Sequence, residues 1–322
     1  MDISTFNNKR VLVLGDIILD EFIQSTSTRN SPEYKAVPIL SIQEKKQYLG
    51  GAANVALNLK KLHAIPYLIG TVGNDNAGDI IYKLLAEEDI SNQYIHTNHR
   101  QKTTVKSRIF QDSNPLFRID DDAKLEYEEL INHFIIKNLT DAINNHKPHA
   151  LILQDYNKGV LNEKNISEIL AIAKQHHLLI AVDPKFDSWE LYQNIDLFKP
   201  NEQEFLFMLN LPKISRTKQE WHDATKILQE KIQFKNLLLT LGEQGNLISN
   251  NETFLFSQQT HTLQHADVCG AGDTVIAVAT LALLCGFSLE QIAELSNKAG
   301  YLVCQKENIQ PISFEDLNNL II

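Results

Sequence analysis

Five short runs, at residues 11–14, 150–153, 178–182, 196–198 and 237–240, are largely apolar without the strict alternation of a strand that has one wet face. Strands covered on both faces look like that, so these runs predict a central, mostly parallel sheet. Between and around them, residues 52–62, 77–86, 126–143, 165–176 and 217–230 repeat their apolar positions with helical period. This strand-helix alternation predicts βαβ units with right-handed crossovers. Residues 37–42 and 103–110 break the rhythm and alternate as half-exposed strands, and 116–119 adds a shorter one. We expect a small sheet built from strands within about 20–45 and 93–120 that projects as a lid; the same pattern also fits an antiparallel edge of the main sheet. Towards the C-terminus, 247–249 and 254–256 flank a turn at Asn250 and Asn251, and helices at 272–285 and 289–303 are joined through Gly286. With no internal repeat or linker, residues 1–322 read as a single α/β domain, a three-layer sandwich with an added small sheet.

Composition narrows the class. With 43% apolar and 22% charged residues the chain can bury a large core, and disorder over most of its length is excluded. A net charge of -10 argues against a long nucleic-acid track, which needs a continuous field of Lys and Arg. Cys269, Cys285 and Cys304 have neither CxxC spacing nor the density of a disulfide scaffold, which fits a reducing compartment. The N-terminal ten residues are polar and mixed, and the apolar run 275–285 is too short to span a bilayer, so cytoplasmic residence without a membrane partner is expected.

The chemistry concentrates at residues 267–274, where Gly270 and Gly272 precede an apolar helix and Asp273 follows them. Without Cβ atoms, the backbone N–H groups of Gly270, Ala271 and Gly272 can converge on an oxyanion at a helix start. A carboxylate beside such an anion site is repulsive unless it has a task, and taking the proton of an attacking hydroxyl in phosphoryl transfer is one. A tight turn with a helix-capping aspartate is the plainer reading of the same residues. No GxxxxGK[ST] loop is present, and Gly15-Asp16 rather than GxGxxG follows the first strand. The histidines form neither HExxH nor a Cys/His metal grid.

Gly270-Ala271-Gly272-Asp273 resembles the C-terminal signature of the ribokinase-like (PfkB) carbohydrate kinases. Gly50-Gly51-Ala52-Ala53-Asn54-Val55-Ala56 with Gly70-Thr71-Val72-Gly73-Asn74-Asp75 resembles their N-terminal signature. A narrower likeness, to the D-glycero-β-D-manno-heptose 7-phosphate kinases of bacteria, rests on Gly15-Asp16 with Asp20, Ser31-Pro32-Glu33, Val37-Pro38, Arg118-Ile119-Asp120, Asp155-Tyr156-Asn157-Lys158-Gly159-Val160 and Val182-Asp183-Pro184-Lys185. The resemblance implies a ribokinase-like fold, ATP and Mg2+, and phosphorylation of the anomeric hydroxyl on the way to ADP-heptose and the lipopolysaccharide core. It also implies a stand-alone kinase without the adenylyltransferase domain that many such enzymes carry. The chain departs from the pattern at Cys269 and in the connection 111–114.

Site residues follow from both readings. Asp273 is the expected base, with Gly270, Ala271 and Gly272 as the anion hole. Asp16 and Asp20, after the first strand, are expected to accept from sugar hydroxyls, Gly50 and Gly51 to admit the ligand, and Asn54 to bind a hydroxyl. Each has a structural alternative as a cap or turn residue. Lys106 and Arg108 share a strand face, and with Arg118, Lys158 and Lys185 they are candidates for gripping the sugar's phosphate; ordinary surface charge is the alternative. The resemblance adds Asp155 to the sugar side. It also assigns Asn201 and Glu204 to an Asn-x-x-Glu element near ATP, with Glu204 reaching the metal through water. Thr240, Gly242 and Gly245 are expected along the nucleotide, with Asn297 at its base or ribose. A lid edge that pairs between subunits would give a homodimer. Rival readings are a kinase for fructose, fructose phosphate or another sugar, a nicotinamide-dependent oxidoreductase, and an inactive ligand-binding protein.

Overall fold

The apolar runs become the middle of a sheet buried on both faces. The computed structural model describes residues 1–34, 36–112, 114–122, 129–214, 217–257 and 268–320. The chain opens with β1 (Arg10–Gly15), β2 (Ile17–Asn30), β3 (Pro38–Gly51), α1 (Ala52–Lys61), β4 (Ile65–Gly73), α2 (Asn76–Glu87) and β5 (Tyr94–Asn98). There follow β6 (Thr104–Gln111), β7 (Asn114–Asp121), α3 (Glu129–His146), β8 (Ala150–Gln154), α4 (Ile166–Gln175), β9 (Leu179–Asp183) and β10 (Leu197–Phe198). Next come α5 (Glu202–Met208), α6 (Lys218–Ile232), β11 (Asn236–Thr240), β12 (Asn246–Ser249) and β13 (Phe254–Ser257). The last elements are α7 (Ala271–Leu284), α8 (Leu289–Cys304) and α9 (Phe314–Asn319).

Among the described residues the main sheet runs β13-β12-β11-β10-β9-β8-β1-β4-β5. It is parallel from β11 to β5, and β12 and β13 form the expected hairpin at one edge. Successive side chains of a strand face opposite ways, and both directions are greasy here. Val11 and Val13 enter a cluster with α1, α7 and α8, whereas Leu12 and Leu14 enter another with α3, α4 and α6. The result is a three-layer α/β/α sandwich with an additional small sheet.

That second sheet has the order β3-β2-β6-β7. Every residue of β7 is exposed, and the middle of β3 is too. Segment 94–98, within the stretch expected to supply the lid, instead pairs in parallel with β4 as an edge of the main sheet. The turn at 111–114 joins β6 to β7, with Asp112 at φ +50°, and Ser113 lies outside the described residues. The predicted helix 126–143 is described from Glu129, so its first residues also lie outside them.

This topology fixes where a ligand can sit. The order turns at β1, with β4 on one side and β8 on the other, and such a switch opens a crevice at the carboxyl ends of the strands. At that point β1 passes directly into β2 rather than into a helix, so the main sheet feeds the small one. The strands approach closely there: a Cβ on Gly15 would lie 2.0 Å from the Gln154 carbonyl oxygen. Backbone cannot yield as a side chain can. Gly15→Ala should therefore cost about 1–3 kcal/mol in urea unfolding, and an unchanged midpoint would contradict this packing.

Candidate active site

Helix α7 starts from Gly270, whose φ of +76° is the left-handed conformation that glycine adopts without penalty. Space demands glycine as well, since a Cβ there would meet Asn54 Nδ2 at 2.8 Å. Gly270 provides no side-chain cap, and among the described residues the first-turn N–H groups of Gly272 and Asp273 have no partner outside the helix, as a helix start leaves them for a ligand or solvent. Ala271 differs from the expectation, because its N–H donates to the Val268 carbonyl at 3.3 Å. The helix is held by its apolar body, with Ile276, Ala277, Val278 and Leu281 fully buried. Asp267, the first residue of the motif, lies outside the described residues.

Asp273 is only 3% exposed. Its Oδ2 accepts from Asn54 Nδ2 at 2.7 Å, and its Oδ1 accepts from Gln154 Nε2 at 3.0 Å and from the Tyr156 hydroxyl at 2.9 Å. The amide orientation is set from behind: Thr274 Oγ1 donates to Asn58 Oδ1, and Asn58 Nδ2 donates to Asn54 Oδ1. Burial pushes the Asp273 carboxyl up to about 7, helped by the charges of Asp183 and Asp20 and opposed by the donors Asn54 and Tyr156. A carboxyl in that range can take up and release a proton near neutrality.

Sequence reasoning placed Asn54 against a sugar hydroxyl; in the structure its amide nitrogen donates to Asp273 Oδ2, a contact that reasoning did not foresee. Gln154, Tyr156, Asp183 and Lys199 were given no role, yet they complete the site's floor. Gln154 Nε2 also donates to Asp183 Oδ2 at 3.0 Å, and Lys199 Nζ pairs with Asp183 Oδ1 at 3.0 Å. The available signal was positional, because Gln154, Asp183 and Lys199 are polar residues at or just past the ends of buried runs.

A cavity of about 600 Å3 extends from Gly270, Ala271 and Gly272 past Asn201 to Thr240, Gly242, Gly245 and Asn297. It therefore brings five of the six expected nucleotide residues to one wall. Gly242 and Gly245 take φ of +59° and +91°, which opens the turn after β11. Asn297 donates to Ser257 and accepts from Asn246 at 2.7 Å, so its amide is already oriented by neighbours. Glu204 is behind the wall, with Oε2 accepting from the Asn201 N–H at 2.8 Å and Oε1 held by Lys185 at 2.6 Å. Asn201 Oδ1 returns the contact by accepting from the Glu204 N–H, so the two form a capping box at the start of α5. No cluster of three or more His, Cys, Asp or Glu that could cage a metal occurs among the described residues. Mg2+ needs no such cage, because it keeps several waters and is held largely through nucleotide phosphates.

On the other side of Asp273 lie the lid residues. Arg108 pairs with Asp20 at 2.6 Å, and Gly50 makes room for that carboxylate, since a Cβ would lie 2.0 Å from Asp20 Oδ2. Gly51, at φ +57°, is the N-cap of α1, and a Cβ there would lie 2.3 Å from the Asp16 carbonyl oxygen. Arg118 holds Asp120 in a fork, Lys158 pairs with Asp122 at 2.7 Å, and Lys106 and Lys185 lie 4.5 and 5.0 Å from the Tyr156 ring centroid. Burial holds the Lys106 ammonium below its ordinary range despite the nearby Asp20. Like Asp273 and Asp20, Asp16 and Asp155 do not line the large cavity, and Asp16 lines a smaller one with Lys158 and Val160. Asp16 accepts from the N–H groups of Tyr156, Lys158 and Val160, while Asp155 accepts from the Asn157 N–H and the Tyr192 hydroxyl. Burial raises both carboxyls, and their work in this structure is to brace the loop that carries Tyr156.

Because Asn54 holds Asp273, Asn54→Ala should lower kcat about tenfold or more and leave the ATP KM nearly unchanged. A rise in sugar KM with kcat intact would contradict that arrangement.

The chain matches the pattern of the pfkB family carbohydrate kinases over residues 8–316. It is 36% identical over 311 residues to the bifunctional protein HldE of Helicobacter pylori strain G27, covering 96% of this chain and 65% of that protein. To bifunctional protein HldE of Coxiella burnetii it is 32% identical, covering 100% of this chain and again 65% of the relative. The chain thus spans about 65% of the length of these curated relatives. Among solved structures, Escherichia coli phosphofructokinase-2 in complex with potassium aligns with TM-score 0.79 at 18% identity over 97% of each chain. Arabidopsis thaliana ribokinase complexed with ribose and ATP aligns with TM-score 0.73 at 18% identity, covering 98% of this chain and 99% of that one. These two likenesses show the fold, and the match over residues 8–316 shows the lineage: the chain belongs to the pfkB family of carbohydrate kinases.

Proposed function

We propose that the protein transfers the terminal phosphoryl group of ATP to the anomeric hydroxyl of D-glycero-β-D-manno-heptose 7-phosphate, giving the 1,7-bisphosphate used for ADP-heptose and the lipopolysaccharide core. The observation that carries this reading is Asp273, a buried carboxylate held by neutral donors directly after Gly270, Ala271 and Gly272, which line the cavity while Asp273 lies behind them. In the proposed reaction the acceptor hydroxyl gives its proton to Asp273 as its oxygen bonds to the terminal phosphorus, and ADP departs with the bridging oxygen. The N–H groups that open α7 donate to the oxygens of the transferring group. Bound Mg2+ would offset phosphate charge, and the expected link from Glu204 to its water shell would require Glu204 to give up its bond to Lys185 or to the Asn201 N–H.

A phosphorylated acceptor is supported by the basic side chains Lys106, Arg108, Arg118 and Lys158, which an acidic protein gathers at the lid and the 156–160 loop. The small sheet would cover the reactants and keep water from the phosphoryl group. Its exposed Val37, Ile42, Leu116, Phe117 and Ile119 support a homodimer through the lid as part of the proposal. The oxidoreductase reading loses support, because β1 continues into β2 and offers no helix start to a dinucleotide.

A coupled ADP-release assay over heptose 7-phosphate, fructose 6-phosphate and free hexoses, with identification of the product, tests the acceptor. Heptose 7-phosphate should be preferred, and Lys106→Ala should weaken phosphorylated acceptors far more than free sugars; equal losses would remove the phosphate contact. Asp273→Asn should stay folded and lose about 100-fold or more of kcat. With a carboxyl near 7 acting as base, kcat/KM of the free enzyme should fall as pH drops through that region, and a flat profile from pH 5 to 9 would contradict the role.

A further inference from the structure

The two oxygens of Asp273 are not equivalent. A carboxylate oxygen has room for about two hydrogen bonds in its plane. Oδ1 has both, from Gln154 Nε2 and the Tyr156 hydroxyl, whereas among the described residues Oδ2 has one, from Asn54 Nδ2. Asn54 cannot turn its oxygen to this position without losing the bond it accepts from Asn58. We infer that Tyr156 is a positioning residue for the reaction: by filling Oδ1 it holds the carboxylate ionised and leaves Oδ2 as the atom that receives the acceptor's proton. This rests on Asp273 being the base.

Tyr156 is placed for that task independently of Asp273. Its backbone N–H is fixed by Asp16 Oδ2 at 2.8 Å, and its ring is flanked by the ammonium groups of Lys106, from β6, and Lys185, beyond β9. Burial, reinforced by Asp273 and Asp183, raises the phenol well above its ordinary range, so it remains a donor throughout the working pH. The charged groups that bear on Asp273 are Asp183 at the end of β9, paired to Lys199, Asp20 on β2, paired to Arg108, and Lys185. Asp183 and Asp20 oppose ionisation of Asp273, so the neutral donors have to support it. Loss of one donor should move the titration of Asp273 upward.

The test is the pH profile of kcat/KM for wild type, Tyr156→Phe and Asp273→Asn, with ATP KM and thermal unfolding measured alongside. Tyr156→Phe keeps the ring between the two lysines and removes only the hydroxyl. The expected result is an acid limb displaced upward by about one pH unit, a loss of about fivefold to tenfold at pH 7 that is largely regained by pH 9, and an unchanged ATP KM. Tyr156→Leu should lose activity at every pH, because the ring is gone. An unmoved limb in Tyr156→Phe beside an inactive Asp273→Asn would overturn the role of Tyr156 while leaving the base assignment standing. A pH-independent loss in Tyr156→Phe would also overturn it, since that is what misfolding produces. Full activity in Asp273→Asn would overturn both.

Discussion

Burying one carboxylate without a cation in direct contact is the constraint around which the site is built. An unpaired charge removed from water costs several kcal/mol or shifts its own titration, and Asp273 shows the second response in a carboxyl raised to about 7. Three neutral donors reduce the cost, and each is placed by a different part of the fold: Asn54 on α1, Gln154 at the end of β8 and Tyr156 just beyond it. A shift in any one of these layers would change both the proton affinity and the direction of Asp273. The glycines serve the same geometry. Gly270 clears Asn54, Gly15 lets β1 lie against Gln154, and Gly50 clears Asp20, so close approach rather than flexibility explains why a side chain is absent at each.

Charge is arranged differently on the two sides of that carboxylate. On the lid side most cations are already occupied, Arg108 by Asp20, Arg118 by Asp120 and Lys158 by Asp122. An arriving phosphate would have to compete with these acids, and paired charges are costly to separate when partly buried. Lys106 stands apart, resting on the face of Tyr156 with its charge disfavoured by burial. On the side of the large cavity Lys185 is bound to Glu204 and Lys199 to Asp183, which leaves backbone N–H groups and polar side chains as the open donors of the cavity. A net-acidic chain can thereby present anion-binding ground at one crevice without a basic surface.

Much of this was legible along the sequence, for identifiable reasons. Runs such as 150–153 are apolar on both faces because both faces are covered, and α7 reads as buried for the same reason. The strand β4 was hidden by Pro66, Gly70 and Gly73, which read as turn signals although its later residues are buried. In β2 the first half is buried and the second polar, so no single period runs its length. Residues expected along the nucleotide, such as Thr240, Gly242 and Gly245, sit together in a short motif, and the cavity wall keeps them together. The role of Asn54 was illegible because its partner lies 219 residues away and no local pattern carries that contact. Asp16 and Asp155 illustrate the same limit. A strand end marks where a carboxylate is, while only the packed loop 156–160 determines which way it faces.

The most direct measurement is a crystal structure of the complex with a magnesium nucleotide, the acceptor sugar and a transferring-group analogue. The account predicts the acceptor oxygen within about 3 Å of Asp273 Oδ2, in line with the phosphorus and with the opening N–H groups of α7 on the analogue's oxygens. An acceptor hydroxyl held by a different base, with Asp273 still enclosed by Asn54, Gln154 and Tyr156 and out of its reach, would contradict it.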